Sequence, residues 1–272
     1  METLPYGLLA MCAAALGTLG GLGGAVLLVP ALVLLGVSPG EAAPLGLLTV
    51  ASSSIAAAPR QLEERLVNHR IGTTVELVAA TGAVVGANLS GLASDKLLTY
   101  ILAAAAAAAA VAGVGRKGLR NLPDPECVPA DIGERIGGLG GAYPLGDEIV
   151  PYQVRRLRNG MVAMAIAGLV AGTAGVSGGF IKNPAMSEIF TVPTKVASAT
   201  TTYTVGVTSS AALVVYAVQG RLDPDASLFV VAGSLIGGLL GARLQAALHP
   251  QRVRTALAGL LLATAIILVV RA

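Results

Sequence analysis

The chain carries a dense glycine motif twice, about 155 residues apart, and each copy lies inside a long apolar stretch. The copies run over residues 17–24 and 172–179, and two prolines follow each: Pro30 and Pro39, then Pro184 and Pro193. Glycine loses the most backbone entropy on ordering, and an unpaired peptide group in hydrocarbon costs several kcal/mol. Helix breaks at matching positions of two halves therefore predict the substrate site of a membrane transporter. Close helix packing is the alternative, but it needs small residues four apart rather than a dense run.

The composition supports a membrane protein and excludes several other classes. Of the 272 residues, 54% are hydrophobic and 12% are charged, with a mean hydropathy of +0.76. A soluble domain carries about twice that share of charge. Two cysteines cannot build a disulfide framework, and two histidines leave too few ligands for a metal enzyme. The pI of about 9.0 comes mostly from arginines beside apolar segments, which favours a role in topology over nucleic-acid binding.

Eight apolar segments can be delimited, and six have the length of a single membrane crossing. They cover residues 5–36, 42–59, 72–93, 96–115, 158–190, 195–218, 226–248 and 252–270. A straight helix over 5–36 would span about 48 Å at 1.5 Å per residue, against a hydrocarbon core of about 30 Å. A break at Gly20 to Gly24 divides this segment into a kinked crossing or a re-entrant hairpin, and the 158–190 segment divides likewise at Gly175 to Gly179.

The expected fold is therefore an all-α polytopic membrane protein of two homologous halves. Residues 1–115 and 158–272 form the transmembrane repeats, each with one glycine-broken element and three plain helices. Residues 116–157 form a polar insert with five prolines, in which Ile136 to Tyr152 is compatible with a short hairpin.

The arginine distribution bears on the orientation of the halves. In the first half, Arg60, Arg65 and Arg70 mark the loop after the second segment. In the second half the bias reverses, and Arg252 and Arg254 lie at the later loop. Positive loops stay cytoplasmic, so we expect a cytoplasmic insert and favour inverted halves, which require an odd number of crossings each. If both broken elements cross fully, the halves are parallel.

The second motif and its surroundings resemble the sulfite exporter TauE/SafE family. The resemblance lies in Gly-Gly-Phe-Ile-Lys-Asn-Pro-Ala-Met at 178–186, in Val-Pro-Thr-Lys-Val-Ala at 192–197 and in the Ser/Thr-rich helix that follows. It implies a prokaryotic inner-membrane carrier, usually an exporter, of sulfite, organosulfonates and related small anions. The chain departs from the family at Ser177, where a further glycine is common, and at Leu22, which interrupts the first glycine run.

The candidate site combines the two breaks with nearby polar groups. A helix that begins after a glycine turn presents unpaired N–H groups to an anion, and hydroxyls donate to oxyanions while remaining neutral. The candidate substrate-binding residues are Gly21, Gly23, Gly24, Ser177, Gly178, Gly179, Lys182, Asn183, Thr201, Thr204, Thr49 and Ser53.

Several of these residues also have structural interpretations. A lysine in an apolar segment is expensive and by default marks function, but Lys182 could also snorkel to the interface or pair with Glu188. Asn183 could donate to the substrate or cap the following half-helix. Each hydroxyl could bond to its own helix. Glu76 could carry a coupling proton, but a solvated glutamate at a helix start is the interpretation we favour.

Two other functions use the same residues. Gly175 to Gly178 match the Gly-x-Ser-Gly pattern of rhomboid intramembrane proteases, but such a serine needs a histidine base within the membrane. His69 and His249 both fall in or beside loops, so we expect no enzyme, catalytic residue, metal or cofactor. An anion channel would use the same helix starts. The expected partners are a small anionic substrate and the lipid bilayer. A homodimer is a further possibility.

Overall fold

The computed structural model describes residues 4–20, 23–63, 65–114, 132–145, 148–245 and 250–272, and this part of the chain is mostly helical. Ten α-helices run along the described residues: α1 (Leu4–Gly20), α2 (Ala25–Leu34), α3 (Pro39–Glu63), α4 (His69–Ser90), α5 (Asp95–Val114), α6 (Leu157–Ala174), α7 (Gly179–Pro184), α8 (Thr194–Val218), α9 (Pro224–Gln245) and α10 (Pro250–Arg271). A π-helical turn, Ala185–Ile189, continues α7.

Short polar residues set the starts of several helices. Ser38 accepts from the backbone N–H of Glu41 and donates its hydroxyl to the Glu41 carboxylate, so it caps α3, with Pro39 at the first helical position. The Asn68 side chain accepts from Ile71 N at 3.0 Å to cap α4. Asp223, 155 residues later, accepts from Ala226 N at the start of α9.

Within the described ranges, six helices are long and apolar enough to cross a membrane: Pro39–Pro59, His69–Ser90, Asp95–Gly113, Leu157–Ala174, Thr194–Val218 and Pro224–Leu244. Shorter apolar helical stretches cover Leu4–Leu19, Ala25–Leu34 and Thr255–Arg271. Large apolar side chains such as Leu77, Val214 and Ile266 are exposed on the outer surface, where lipid rather than water suits them. The chain is a polytopic helical membrane protein, as the composition predicts.

Glycines allow the closest helix contacts. A Cβ built on Gly168 would lie 1.9 Å from the Ala79 carbonyl oxygen, and one on Gly172 would lie 2.1 Å from that of Ala83, so α6 packs directly on α4. Between α9 and α1, a Cβ on Gly237 would lie 2.1 Å from the Met11 carbonyl oxygen. These are small residues four apart, the pattern of tight membrane helix packing. Packing therefore explains Gly237 of α9, Gly168 of α6 and Gly172 of the second motif.

The insert contributes a small antiparallel sheet with the order β1 (Gly133–Glu134), β2 (Gly141–Leu145) and β3 (Glu148–Tyr152). β2 and β3 form a hairpin that pairs Tyr143 with Val150, within the range where the sequence is compatible with one. Tyr143, Val150 and Tyr152 are buried against Phe190 and Val192. The insert is thus packed onto the ends of the helices, and we call this end of the bundle the insert side.

Candidate functional site

The two glycine-rich turns meet, although their motifs are 155 residues apart. The first turn joins α1 to α2 and the second joins α6 to α7. A Cβ built on Gly23 would lie 2.6 Å from the Cβ and 2.7 Å from the Oγ of Ser177. The second turn also touches α3, because a Cβ built on Gly46 would lie 2.2 Å from the Gly175 carbonyl oxygen. Gly21 of the candidate site lies outside the described residues.

Among the described residues of the two turns, backbone conformation requires glycine at Gly23 and at Gly175. Gly23 has φ +81° and Gly175 has φ +68°, a left-handed region that costs other residues about 1–2 kcal/mol. Gly24 and Gly178 have φ −65°, which any residue adopts. A Cβ built on Gly178 or Gly179 would have its nearest neighbour at 3.0 or 3.1 Å, a tight contact rather than an overlap with backbone. Gly23 and Gly175 are therefore the described positions of the two turns whose backbone conformation requires glycine.

Ser177 has a local structural bond. Its hydroxyl oxygen accepts from the backbone N–H of Gly179 at 3.2 Å, which closes the turn before α7. Ser177 is buried, whereas His69 is exposed and packs edge-on against Tyr203, with ring centroids 5.2 Å apart. Among the described residues this histidine therefore does not serve Ser177 as a base.

Lys182 is fully buried and forms an ion pair within the bundle. Its ammonium Nζ lies 2.6 Å from Oε2 of Glu76 on α4 and also donates to the hydroxyl of Thr208 on α8. The Thr208 hydroxyl donates in turn to Oε1 of Glu76. Lysine, carboxylate and hydroxyl thus form a closed triangle that joins α7, α4 and α8.

This triangle corrects two expectations. Glu76 is not solvated, because only 5% of the residue is exposed and it lies two turns into α4. The partner of Lys182 is Glu76 rather than Glu188, which lies at the exposed end of the π turn. A sequence signal existed, since a lone carboxylate inside an apolar helix is as costly as a lone lysine. The pairing itself joins residues 106 positions apart, which no local pattern reveals.

The buried face of α8 lies beside the second turn. Thr201 and Thr204 are buried, and a Cβ built on Gly179 would lie 3.5 Å from the Thr201 Cγ2. The Thr201 hydroxyl lies 3.6 Å from the Met186 sulfur, and Thr204 donates to the Thr201 carbonyl. Asn183 is buried in the last turn of α7, and it caps neither neighbouring helix because Gly178 and Pro184 hold those positions.

The first-half hydroxyls face a different neighbour. Thr49 donates to the Leu45 carbonyl and accepts from Ser234 of α9 at 3.0 Å. Ser53 donates to the Val50 carbonyl at 3.2 Å. The structure therefore brings Ser177, Gly179, Lys182 and Thr201 together around the second turn, whereas Thr49 and Ser53 bond within α3 and towards α9.

Asn68 links the insert to the helices that carry the site. Its backbone N–H donates to Thr200 on α8, and its side-chain amide donates to the Leu139 carbonyl and to the Tyr152 hydroxyl at 2.9 Å. Burial raises the pKa of Tyr152 to about 12, so this hydroxyl is neutral at physiological pH. This network ties the insert to the starts of α4 and α8.

The fold and the site define a class. Long apolar helices, two touching glycine turns and a buried lysine beside them are the attributes of a polytopic membrane transporter. The chain belongs to the sulfite exporter TauE/SafE family, whose model matches residues 6–268.

A curated relative agrees with this class. The chain is 24% identical over 254 residues to the probable membrane transporter protein YunE of Bacillus subtilis (strain 168), with 86% of this chain and 85% of the relative covered. No solved structure matches the chain. The family and the relative are membrane transporters, which are not enzymes.

Proposed function

We propose that this transporter carries small sulfur oxyanions, such as sulfite or organosulfonates, out of a prokaryotic cell across its inner membrane. The anion binds between the two glycine turns and Lys182. The observation that carries the proposal is the contact of Gly23 with Ser177 at the start of α7, the helix that carries the fully buried Lys182. The two turns supply N–H groups from helix starts, and Lys182 supplies the full charge.

The proposal includes two homologous repeats on either side of the insert. Helix starts support it: α3 and α8 begin at residues 39 and 194, which are 155 positions apart. The starts of α4 and α9, at residues 69 and 224, have the same separation. A period shared by two pairs of helices favours a duplicated unit.

The repeats are proposed to be inverted, and contacts of Arg221 support this. Arg221 follows the end of α8, donates to the carbonyl oxygen of Gly40 at the start of α3 and donates to Ser90 at the end of α4. Helix α3 therefore starts where α4 and α8 end, and α9 starts beside them. The equivalent helices α3 and α8 run in opposite directions, as do α4 and α9.

Glycine contacts extend this argument to the broken elements. Gly7, Met11 and Ala15 of α1 meet Gly233, Gly237 and Gly241 of α9 in the same order, so these helices run in the same direction. Ala79 and Ala83 of α4 meet Gly168 and Gly172 of α6 in the same order. Since α4 and α9 are opposed, α1 and α6 are opposed as well. The two hairpins then enter from opposite sides of the membrane.

A carrier is favoured over a channel by the closure of the site. The Lys182 side chain is 0% exposed and its ammonium is held by two partners, so an anion reaches it only after a conformational change. Alternating access provides that change, whereas a channel offers a continuous path. Counterflow in liposomes separates the two, because only a carrier exchanges labelled internal sulfonate faster when sulfonate is present outside.

The test of the site compares Lys182→Ala with Lys182→Arg for sulfite and sulfonate affinity, measured by calorimetry on purified protein. A hydrogen bond to a charged group contributes about 1.5–3 kcal/mol, so we expect the alanine variant to bind about 10- to 100-fold more weakly. The arginine variant keeps the charge and should lose less. Lys195→Ala removes an exposed lysine of α8 and serves as the matched control, with unchanged affinity.

Removing Lys182 leaves Glu76 buried without its partner, which is strongly destabilising. The double variant Lys182→Ala, Glu76→Gln removes both charges and should recover the yield without recovering the affinity. If the single and double variants bind sulfonate as tightly as the wild type, the anion binds elsewhere. The homodimer stays a prediction, which cross-linking in native membranes checks.

A further inference from the structure

The ammonium of Lys182 has no room for an anion in the present arrangement. It lies 2.6 Å from one oxygen of Glu76 and donates to Thr208, whose hydroxyl closes the triangle onto the other carboxylate oxygen. An anion that binds Lys182 therefore has to take the place of the Glu76 carboxylate. Substrate and glutamate compete for one cation.

The part of the chain that the structure describes offers the displaced carboxylate no second buried cation. Among the described residues, Glu76 and Lys182 are the buried charged side chains. Helix α8 contributes the Thr208 hydroxyl, and the buried residues of α6 are glycine, alanine, methionine and threonine. On α4 itself, His69 and Arg70 are exposed near its start, and Glu188 of the π turn is exposed as well. Two buried anions sharing one ammonium would leave a net negative charge in low dielectric, which is strongly unfavourable.

We propose that Glu76 takes up a proton from water whenever a monovalent anion binds Lys182, so that the transporter moves one proton together with each anion. This inference rests on the proposed function. In the empty state the charges of Lys182 and Glu76 cancel. In the loaded state the charges of Lys182 and the anion cancel, and the carboxyl group is neutral. Both states that cross the membrane carry no net charge at the site.

The sequence repeat limits the stoichiometry to one proton. The positions 155 residues from Lys182, Glu76 and Thr208 are Leu27, Val231 and Ser53. Each half therefore repeats neither charge of the other half, and only the hydroxyl has a counterpart. One carboxylate serves one anion in each transport cycle.

Electroneutral coupling has a consequence for direction. The flux follows the sum of the anion gradient and the proton gradient, and the membrane potential does not enter. Export of an anion that accumulates in the cytoplasm then runs down its own concentration gradient, and the accompanying proton leaves with it.

The test uses the full chain in liposomes with a radiolabelled sulfonate, which keeps its single negative charge over the working pH range. With the outside more acidic by one pH unit, the wild type should accumulate sulfonate about tenfold, because one pH unit equals about 1.4 kcal/mol per proton. A potassium potential set with valinomycin should not change this ratio. Glu76→Gln should let sulfonate equilibrate without accumulation. Glu41→Gln changes an exposed carboxylate at the start of α3 and should accumulate like the wild type.

Distinct outcomes overturn distinct claims. A wild type that moves neither this sulfonate nor sulfite overturns the proposed function. A wild type that equilibrates sulfonate but does not accumulate it against the pH gradient overturns the coupling alone, and so does a Glu76→Gln variant that still accumulates. A second measurement needs no variant: sulfonate added to lightly buffered wild-type protein should remove one proton from solution per bound anion. Binding without proton uptake refutes the inference even if Glu76→Gln fails to fold.

Discussion

Replacing Gly23 with alanine should destabilise the protein by about 2–5 kcal/mol. The left-handed φ of +81° accounts for about 1–2 kcal/mol. The new methyl group would lie 2.6 Å from the Ser177 Cβ, and overpacking of this kind costs typically about 1–3 kcal/mol. The total is the backbone cost plus the overpacking cost, and the second cost arises only if Gly23 contacts Ser177 as in the structure.

Two further variants separate these costs. Gly36 also has a left-handed φ, +94°, but a Cβ built there meets nothing within 4 Å. Gly36→Ala should therefore lower the free energy of unfolding only by the cost of the left-handed backbone. Ser177→Gly removes the obstructing side chain. It also removes the acceptor for Gly179 N, at about 0.5–1.5 kcal/mol. In the double variant Gly23→Ala, Ser177→Gly, the contact energy should be recovered, which gives a coupling of at least about 1 kcal/mol.

The assay is the free energy of unfolding in mixed micelles, followed by circular dichroism during titration with a denaturing detergent. The four proteins and the wild type form a double-mutant cycle with a backbone control. The contact between the two turns is refuted if Gly23→Ala destabilises the protein no more than Gly36→Ala does. It is also refuted if Ser177→Gly does not reduce the destabilisation caused by Gly23→Ala.

Three further predictions concern topology, the insert and helix packing. Single cysteines placed in the loops at 60–70 and 249–254 and in the insert should all be protected from an impermeant label in intact cells; labelling of 249–254 with a protected insert would favour parallel halves. Asn68→Ala should cost about 1–3 kcal/mol, because it leaves buried partners unsatisfied, and proteolysis of the insert in inverted membrane vesicles should become faster; unchanged cleavage would contradict the proposed docking. Gly168→Leu should prevent stable insertion, because its Cβ would overlap the Ala79 carbonyl, whereas Gly259→Leu, at an open position, should express normally.

The helices could be predicted from the sequence because their signals are local. Hydropathy and length locate α3, α4, α8 and α9 within a few residues, and Pro39 and Asn68 mark helix starts. The sheet of the insert was harder to predict, because β2 and β3 are short and include prolines.

The site could be predicted only in part. The glycine runs pointed to Gly23, Ser177 and Lys182: the structure places Gly23 against Ser177, and Lys182 lies on the helix that follows. The environment of Glu76 depends on which faces of α4, α7 and α8 pack together. A single sequence does not show which faces of distant helices are in contact. For the same reason the sequence groups Thr49 with Thr201 in one candidate site, although the structure bonds Thr49 to Ser234 of α9 and places the Thr201 hydroxyl beside the Met186 sulfur.

The most direct test of the proposed binding site is the position of a bound anion. Selenite is the selenium analogue of sulfite, and anomalous diffraction from crystals grown with it locates the selenium without reference to the protein. The account predicts a peak within hydrogen-bonding distance of the Lys182 ammonium, between the Gly23 and Ser177 turns. A peak elsewhere in the bundle, with the Lys182–Glu76 pair intact, would contradict it.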